Sequence, residues 1–340
     1  MAVTVRDIAK KLNIGKSTVG YALNGGPKPV SEEVRRLVMA AARDMGYQPN
    51  ENARSLAKGR TNMIGVVPFQ LQRDSLLSPY MRIALAGIYE AAEDLGRHVV
   101  LFTGYSPHDQ DAIRSRSFGA RVDGLVLVSP KIDRQMMDFI AEQNLPLAIV
   151  ASPAEGPGLH FNADNAGGVT AAIEHLAKLG HRSIATIAGT PGADGTERND
   201  AFFAAMERLQ LPVPPDMAQE GDFTKQSGYQ VGLRLLGLGK PPTAVFAAND
   251  QMAYGLLMAA RELGVRVPQD LSVIGFDDDE LSQEIHPPLT TIAQPIAEMA
   301  SAALQAVVKL STGQSAQGHL FATRLIERAS TACPKEDAQP

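Results

Sequence analysis

Tryptophan is absent from these 340 residues, and cysteine occurs once, at Cys333. A lone cysteine excludes an internal disulfide framework and any zinc site built from several thiolates. Long apolar runs are missing too. No stretch approaches the roughly 20 residues that cross a bilayer. The opening MAVTVRDIAKKL interrupts its apolar positions with charges, so it lacks the core of a signal peptide. A cytoplasmic protein with no membrane partner is the expectation. There is no G-x-G-x-x-G after a strand, and the glycines of GTPGADGT lack the Lys-Ser/Thr ending of a P-loop. Glu174, His175 and His181 have no metal-ligand spacing and are expected on a solvated helix face. The acids of FDDDE, residues 276–280, follow a strand end, where open α/β sheets place ligand groups rather than a cation. With no nucleophile–base signature either, neither an enzyme, a cofactor nor a metal is expected.

What is present is ordinary in bulk and uneven in distribution. Apolar residues make up 44 % and charged residues 20 %, the balance of a soluble globular chain long enough for two or three domains. The net charge is −5. Residues 1–60 nevertheless hold 11 lysines and arginines against 5 acids, a surplus of six that leaves −11 for the rest. A basic head on an acidic body suits a polyanionic partner.

Three short helices are predicted in that head. Thr4 precedes VRDIAKKL, whose Val5, Ile8, Ala9 and Leu12 share a face, with Thr4 as N-cap. In GKSTVGYALNGG, Val19, Ala22 and Leu23 share a face with Thr18, opposite Lys16, Ser17, Gly20 and Tyr21. Asn24-Gly25-Gly26 ends that helix. Ser31, Glu32 and Glu33 start a third, with Val34, Leu37, Val38, Ala41 and Met45 on one stripe, and Gly46 as its left-handed stop. Two short helices around a tight turn and a longer third that closes the core form the helix-turn-helix pattern. The narrow, polar second helix fits a major groove about 12 Å wide. NENARSLAKGR, residues 50–60, predicts one or two further helical turns capped by Asn50, too short to be stable alone.

From Ile64 onward, short apolar strands (MIGVV, HVVLF, DGLVLV, PLAIV, SIATIAG, TAVFAA, LSVIGF) alternate with amphipathic helices, several stopped by Leu-Gly at 95–96, 179–180 and 263–264. Strand–helix alternation predicts parallel α/β sheets. Two runs of such units, about 64–161 and 162–290, predict two Rossmann-like lobes.

The stretch TVRDIAKKLNIGKSTVGYALNGGPKPVSEEVRRLVMAAARDMGYQPNENARSLAKGRTNMIGVV resembles the head of the lactose/galactose repressor (LacI/GalR) family of bacterial transcriptional regulators. FNADNAGGVTAAIEHLAKLGHRSIATIAG, TERNDAFFAAM, TAVFAANDQMAYGLLMAARELGVRVPQDLSVIGFDDDEL and PPLTTIAQPI resemble its effector-binding core. The resemblance runs to about residue 330. It implies a helix-turn-helix domain over 1–49, a hinge helix over 50–60 and a two-lobed, periplasmic-binding-protein-like core whose chain crosses between lobes three times. The first lobe then takes 61–161 and 291–322, the second 162–290 and 323–332, and 333–340 is a tail. Without a heptad repeat in that tail, no tetramerisation coil is expected.

By the same resemblance, Thr4, Lys16, Ser17, Thr18, Tyr21 and Asn24 face DNA, with Lys16, Ser17 and Tyr21 at base-reading positions. Gly20-Tyr21 stands where the family usually has Ser-Arg, which implies a different operator preference, and Gly15 stands where it commonly has serine, a change of N-cap that costs only about a few tenths of a kcal/mol. Asn50, Ala53, Arg54 and Leu56 would form the hinge contacts, with Leu56 wedged into the minor groove of a palindromic operator between two copies of the chain. The implied ligand set is Phe69, Tyr80, Phe161, Asp164, Arg198, Phe223, Asn249, Asp250, Asp277 and Gln294. Arg198 would be a bidentate donor, and Asp277 would accept from vicinal hydroxyls. The expected function is that of a dimeric repressor whose operator affinity is set by a small-molecule effector, a sugar acting as inducer. A purine-type corepressor is the alternative. A solute-binding protein would explain the lobes, but it would need an export signal and would leave residues 1–60 without a purpose.

Overall fold

A computed structural model describes residues 3–25, 28–48, 60–68, 78–102, 121–129, 138, 140–152 and 156–335. They belong to two separately compact units, residues 1–61 and 62–340. The predicted hinge residues Asn50, Ala53, Arg54 and Leu56, and Phe69 in the core, lie outside the described residues.

The head contains α1 (Val5–Leu12), α2 (Lys16–Asn24) and α3 (Glu32–Asp44). Thr4 starts α1 by donating its backbone N–H and its hydroxyl to Asp7 Oδ2, at 2.9 and 2.7 Å. Asn13, at φ 52°, ends that helix in the left-handed conformation that asparagine tolerates. Ser31 accepts the Val34 N–H at 3.4 Å at the start of α3, and Gly46 turns the chain at φ 66°. Ile8, Ala9, Val19, Ala22, Val38, Ala41 and Ala42 form the core of this unit. The stripe predicted for α3 needs one correction: Leu37 is 55 % exposed and Ala42 is buried in its place. A core closed by helices of 8 and 9 residues covers only a narrow line of α3, and Leu37 lies at the edge of the apolar face.

Among the described residues, the second unit holds two six-stranded sheets. The first has the order β11-β5-β4-β3-β1-β2, built from β1 (Met63–Pro68), β2 (His98–Leu101), β3 (Leu125–Val128), β4 (Leu147–Val150), β5 (Leu159–Ala163) and β11 (His319–Phe321). The second has the order β12-β10-β9-β8-β6-β7, from β6 (Ile184–Ala188), β7 (Ala218–Glu220), β8 (Ala244–Ala247), β9 (Ser272–Asp277), β10 (Thr290–Ala293) and β12 (Arg324–Ile326). All pairings are parallel except that of β12 with β10, so the second sheet carries one antiparallel edge. β3, β4, β8 and β9 are buried along their whole length, as central strands covered on both faces must be.

Three crossings join the lobes, and two of them fall a few residues later than the sequence predicts. β5 keeps its pairing with β11 in the first sheet through Ala163, so the first crossing comes at Asp164. β10 pairs with β9 from Thr290 to Ala293, so the chain leaves the second lobe at Gln294. It then forms α10 (Ile296–Ser311), which packs against α4 (Pro79–Asp94) in the first lobe. That contact is close. A Cβ on Gly87 of α4 would stand 2.2 Å from the Ala297 carbonyl oxygen. The first and third crossings are tied together, because Asp164 N–H donates to the Phe321 carbonyl at 2.7 Å and Thr323 Oγ1 donates to the Asp164 carbonyl at 2.9 Å.

Four helices pack on the second sheet, α5 (Asn165–Lys178), α6 (Ala193–Arg208), α7 (Lys225–Leu236) and α8 (Asp250–Glu262), and a single turn, α9 (Leu281–Glu284), follows β9. The helix stops at Gly96, Gly180 and Gly264 all have positive φ, as predicted. His181 does not lie on a solvated face. It is buried, with Nδ1 2.9 Å from Thr243 Oγ1 and Nε2 2.9 Å from both Ser272 Oγ and the Ala332 carbonyl. It thereby pins the C-terminal segment to the second sheet, and burial lowers its pKa. His175 is also largely withdrawn from solvent, at 3.1 Å from Thr331 Oγ1. Glu174 is partly exposed and pairs with Arg208 at 2.8 Å.

Candidate functional site

In the head, the exposed face of α2 presents Lys16 and Ser17 to solvent, with Thr18, Gly20, Tyr21 and Asn24 half-buried beside them. The opposite side carries Val19 and Ala22 into the core. Thr4 is engaged with Asp7 at the start of α1.

In the two-lobed unit, the polar residues gather at the carboxyl ends of β6, β8, β9 and β10, where doubly wound sheets open their ligand crevice. Arg198, on α6, is the centre. It is 2 % exposed. Its Nε donates to Asn165 Oδ1 at 2.8 Å, and its Nη1 donates to the Ala248 carbonyl at 2.6 Å. Asp277 Oδ1 lies 3.5 Å from Nη1, and Asp194 Oδ2 lies 3.7 Å from Nη2. The Phe276 ring covers one face of the guanidinium at 3.7 Å. Nε and Nη1 therefore donate within the protein and Nη2 lies at ion-pair distance from Asp194, so the group is the keystone of this cluster.

Asp277 is 9 % exposed and accepts from Gln294 Nε2 at 2.6 Å. Burial pushes its carboxyl up to about 7, against the opposing pull of Arg198 and Gln294. From the first lobe, Tyr80 on α4 brings its hydroxyl close to this cluster. Burial raises the phenol well above 10, with Asp194 and Asp277 adding to the rise and Arg198 opposing it. That hydroxyl is fully buried and has no hydrogen-bond partner among the described residues. At the rim, Arg82 and Glu280 join the lobes at 3.2 Å, both largely exposed.

Of the predicted ligand set, then, the structure brings Tyr80, Arg198, Asp277 and Gln294 together. The other described members have different surroundings. Asp250 is fully enclosed: Oδ1 accepts from Thr291 Oγ1 at 2.5 Å and Oδ2 from the Asp279 N–H at 2.9 Å. Burial raises its pKa strongly, and the nearby Asp277 and Asp279 add to the effect. Asn249 caps α8 through the Met252 N–H at 2.9 Å and donates to the Phe223 carbonyl at 3.0 Å. Both residues brace the loops that carry the site. Phe161 lies in the first-lobe core with Ile296 and Met299. Asp164 caps α5 through the Gly167 N–H at 2.8 Å. Phe223, at φ 66°, lays its ring over Gly189, where a Cβ would come within 2.0 Å of the ring and force it to move.

Sequence reading missed Asn165, Asp194 and Phe276. Asn165 orients the arginine and donates to Asp194 and Glu197 at 3.0 and 2.8 Å. Asp194 and Arg198 stand four apart on one helix, a spacing that places two side chains together and that could have identified the pair.

A three-helix DNA-binding head and a two-lobed core around a polar crevice, on one chain, define the class of ligand-responsive transcription regulators. Residues 4–50 match the family described as bacterial regulatory proteins, lacI family, and residues 173–331 match the periplasmic binding protein-like domain. The chain is 31 % identical over 312 residues to the probable HTH-type transcriptional repressor ExuR of Bacillus subtilis (strain 168), covering 91 % of both chains. It is 32 % identical over 340 residues to the HTH-type transcriptional repressor PurR of Klebsiella pneumoniae (strain 342), covering 97 % of both. Among solved structures it is similar to the Lac repressor dimer bound to operator and the anti-inducer ONPF, with a TM-score of 0.85, 30 % identity and coverage of 98 % of this chain and 100 % of that one. It is also similar to a CelR–cellobiose complex, with a TM-score of 0.74, 29 % identity and coverage of 96 % and 99 %. The chain belongs to the lacI family of bacterial regulatory proteins. Among the described residues, no helix is long and apolar enough to cross a membrane.

Proposed function

We propose that this regulator is a dimeric repressor of a palindromic operator, and that its crevice takes an uncharged, polyhydroxylated ligand, a carbohydrate, as inducer. The observation that carries this reading is the buried Tyr80 hydroxyl of the first lobe, without a hydrogen-bond partner among the described residues and set against the Arg198–Asp277 cluster of the second. A ligand hydroxyl between them satisfies the phenol and an Asp277 oxygen at once, which favours the closed arrangement of the lobes. Because the Arg198 guanidinium already faces two carboxylates, Asp194 and Asp277, a ligand carboxylate would add a third negative charge on this wall. That favours a neutral sugar over a sugar acid. The cellobiose bound to CelR and the ribose bound to another lacI-family regulator are of this chemistry.

Lys16, Ser17 and Tyr21 are assigned to base edges, and Asn50, Ala53, Arg54 and Leu56 to a hinge between two copies of the chain. The test is selection of duplexes from a randomised inverted-repeat pool by the intact chain, followed by titration of the complex with D-glucose, D-galactose, D-ribose, cellobiose, adenine and guanine. One of the sugars is expected to weaken operator binding by about 5- to 150-fold, the usual range of allosteric coupling. Leu56→Ala should weaken operator binding by about tenfold or more, since an unstacked base step costs a few kcal/mol, and should leave sugar affinity unchanged. No preference for any inverted repeat overturns the operator reading. A response to the purines alone overturns the sugar.

A further inference from the structure

β9 does not end in a relaxed turn. Asp277 has φ 116° and Asp278 φ 59°, two consecutive residues with side chains in backbone conformations that favour glycine. Asp277 faces Arg198 and Gln294, so its carboxylate points where it does only while this turn is held. The groups that hold it come from elsewhere in the chain. Asp278 Oδ1 accepts from Arg328 Nη2 at 2.6 Å and from Ser282 Oγ at 3.1 Å. Arg328 Nη1 donates in turn to Ser282 Oγ at 3.1 Å and to the Leu289 carbonyl at 2.8 Å. Its backbone N–H donates to Thr290 Oγ1 at 3.0 Å. The pair is well shielded, with side-chain exposures of 15 % and 19 %. Arg328 lies two residues past β12, in the segment that follows the third crossing, and it makes no hydrogen bond or ion pair with Arg198, Gln294 or Tyr80 among those described.

We propose that Arg328 is a positioning residue for the effector site: by clamping Asp278 it holds the left-handed turn that aims Asp277 at the ligand. The inference rests on the crevice being the effector site, and it adds a residue that does not itself touch the ligand. It also places that residue in the segment that follows the last crossing, past β12.

Two measurements on the full chain test it, one of them independent of any ligand. Amide hydrogen exchange over residues 276–284 reports the turn through the Asp279 N–H, held by Asp250, and the Ser282 N–H, held by Asp279 at 3.1 Å. Arg328→Gln is expected to speed exchange in this segment by about tenfold or more, with little change in β6 or β8. It should also weaken binding of the tightest-bound of D-glucose, D-galactose, D-ribose and cellobiose by about tenfold, which corresponds to 1.4 kcal/mol. Adding Asp278→Gly, which accepts the turn without the clamp, should restore most of both losses. Rescue separates positioning from general damage, since a merely destabilised lobe would exchange everywhere and a further glycine would not help. Unchanged exchange in Arg328→Gln, or a double variant no better than the single one, overturns the proposal. If wild-type protein binds none of the four sugars, the crevice reading fails and takes the effector role of Arg328 with it, while the exchange data still decide whether Arg328 holds the turn.

Discussion

Replacing Arg198 by alanine should lower the stability of the two-lobed unit by about 3–5 kcal/mol, the usual cost of removing one member of a buried ionic cluster. The loss has named parts. Asn165 Oδ1 and the Ala248 carbonyl lose their donor, Asp194 and Asp277 lose their counter-charge, and the Phe276 ring loses the group stacked on it. Urea unfolding followed by circular dichroism measures the effect as a lower midpoint. Arg198→Lys should fall between the wild type and alanine, because an ammonium keeps the charge but cannot span the asparagine, the carbonyl and two carboxylates in one plane. Both variants should lose the response to sugar. A midpoint within experimental error of the wild type would show that the arginine is not the keystone the geometry describes.

Asp277→Asn should make the stability of the core depend less on pH and cut sugar affinity by about 10- to 100-fold, the weight of a hydrogen bond to a charged group. The sign follows from the carboxyl being raised from 3.8 to about 7 by burial. Between those values the folded chain binds the additional proton, so stability is greatest at the acid end of the window and falls as pH rises through it. Asp250 and Asp279, also raised by burial, act in the same direction. His175 and His181, lowered by burial, act oppositely: their contribution is complete above the unfolded value of 6.5 and is lost as pH falls through their folded values. Comparing the asparagine variant with the wild type cancels the histidines. The melting temperature of Asp277→Asn relative to wild type should climb by several degrees between pH 5 and pH 8, given roughly 2–4 °C per kcal/mol for a unit of this size. A difference that stays constant over that interval would mean that the Asp277 carboxyl is not raised in the folded chain.

Helix boundaries were legible because they are written in local chemistry: Thr4, Ser31, Gly46, Gly96, Gly180 and Gly264 all stand where capping and left-handed stops require them. The alternation of strands and helices was equally readable, and with it the two parallel sheets. What local pattern cannot convey is which surface covers which. Leu37 has apolar periodicity, but its helix is too sparsely packed to bury it. His181 follows a helix that looks polar at that end, and a C-terminal segment 150 residues away encloses it. The same limit applies at the crevice. Asp250 and Asp277 both stand at or just past strand ends and both are acids, so sequence gives them the same task. Only the placement of Thr291 and of the Asp279 backbone makes one a brace, while Arg198 and Gln294 hold the other beside the space between the lobes.

The interleaved path of the chain between the lobes also bears on how this molecule is made. The first sheet is incomplete until β11 arrives, and the helix that covers its core, α10, is supplied only after the whole of β6 to β10 has been threaded through the neighbouring lobe. During synthesis, Met81, Ala84, Ile88 and the strands beneath them must wait uncovered for residues 296–321. A chain that stops before residue 296 therefore lacks both the helix and the edge strand that complete the first lobe, although most of its residues have already been made.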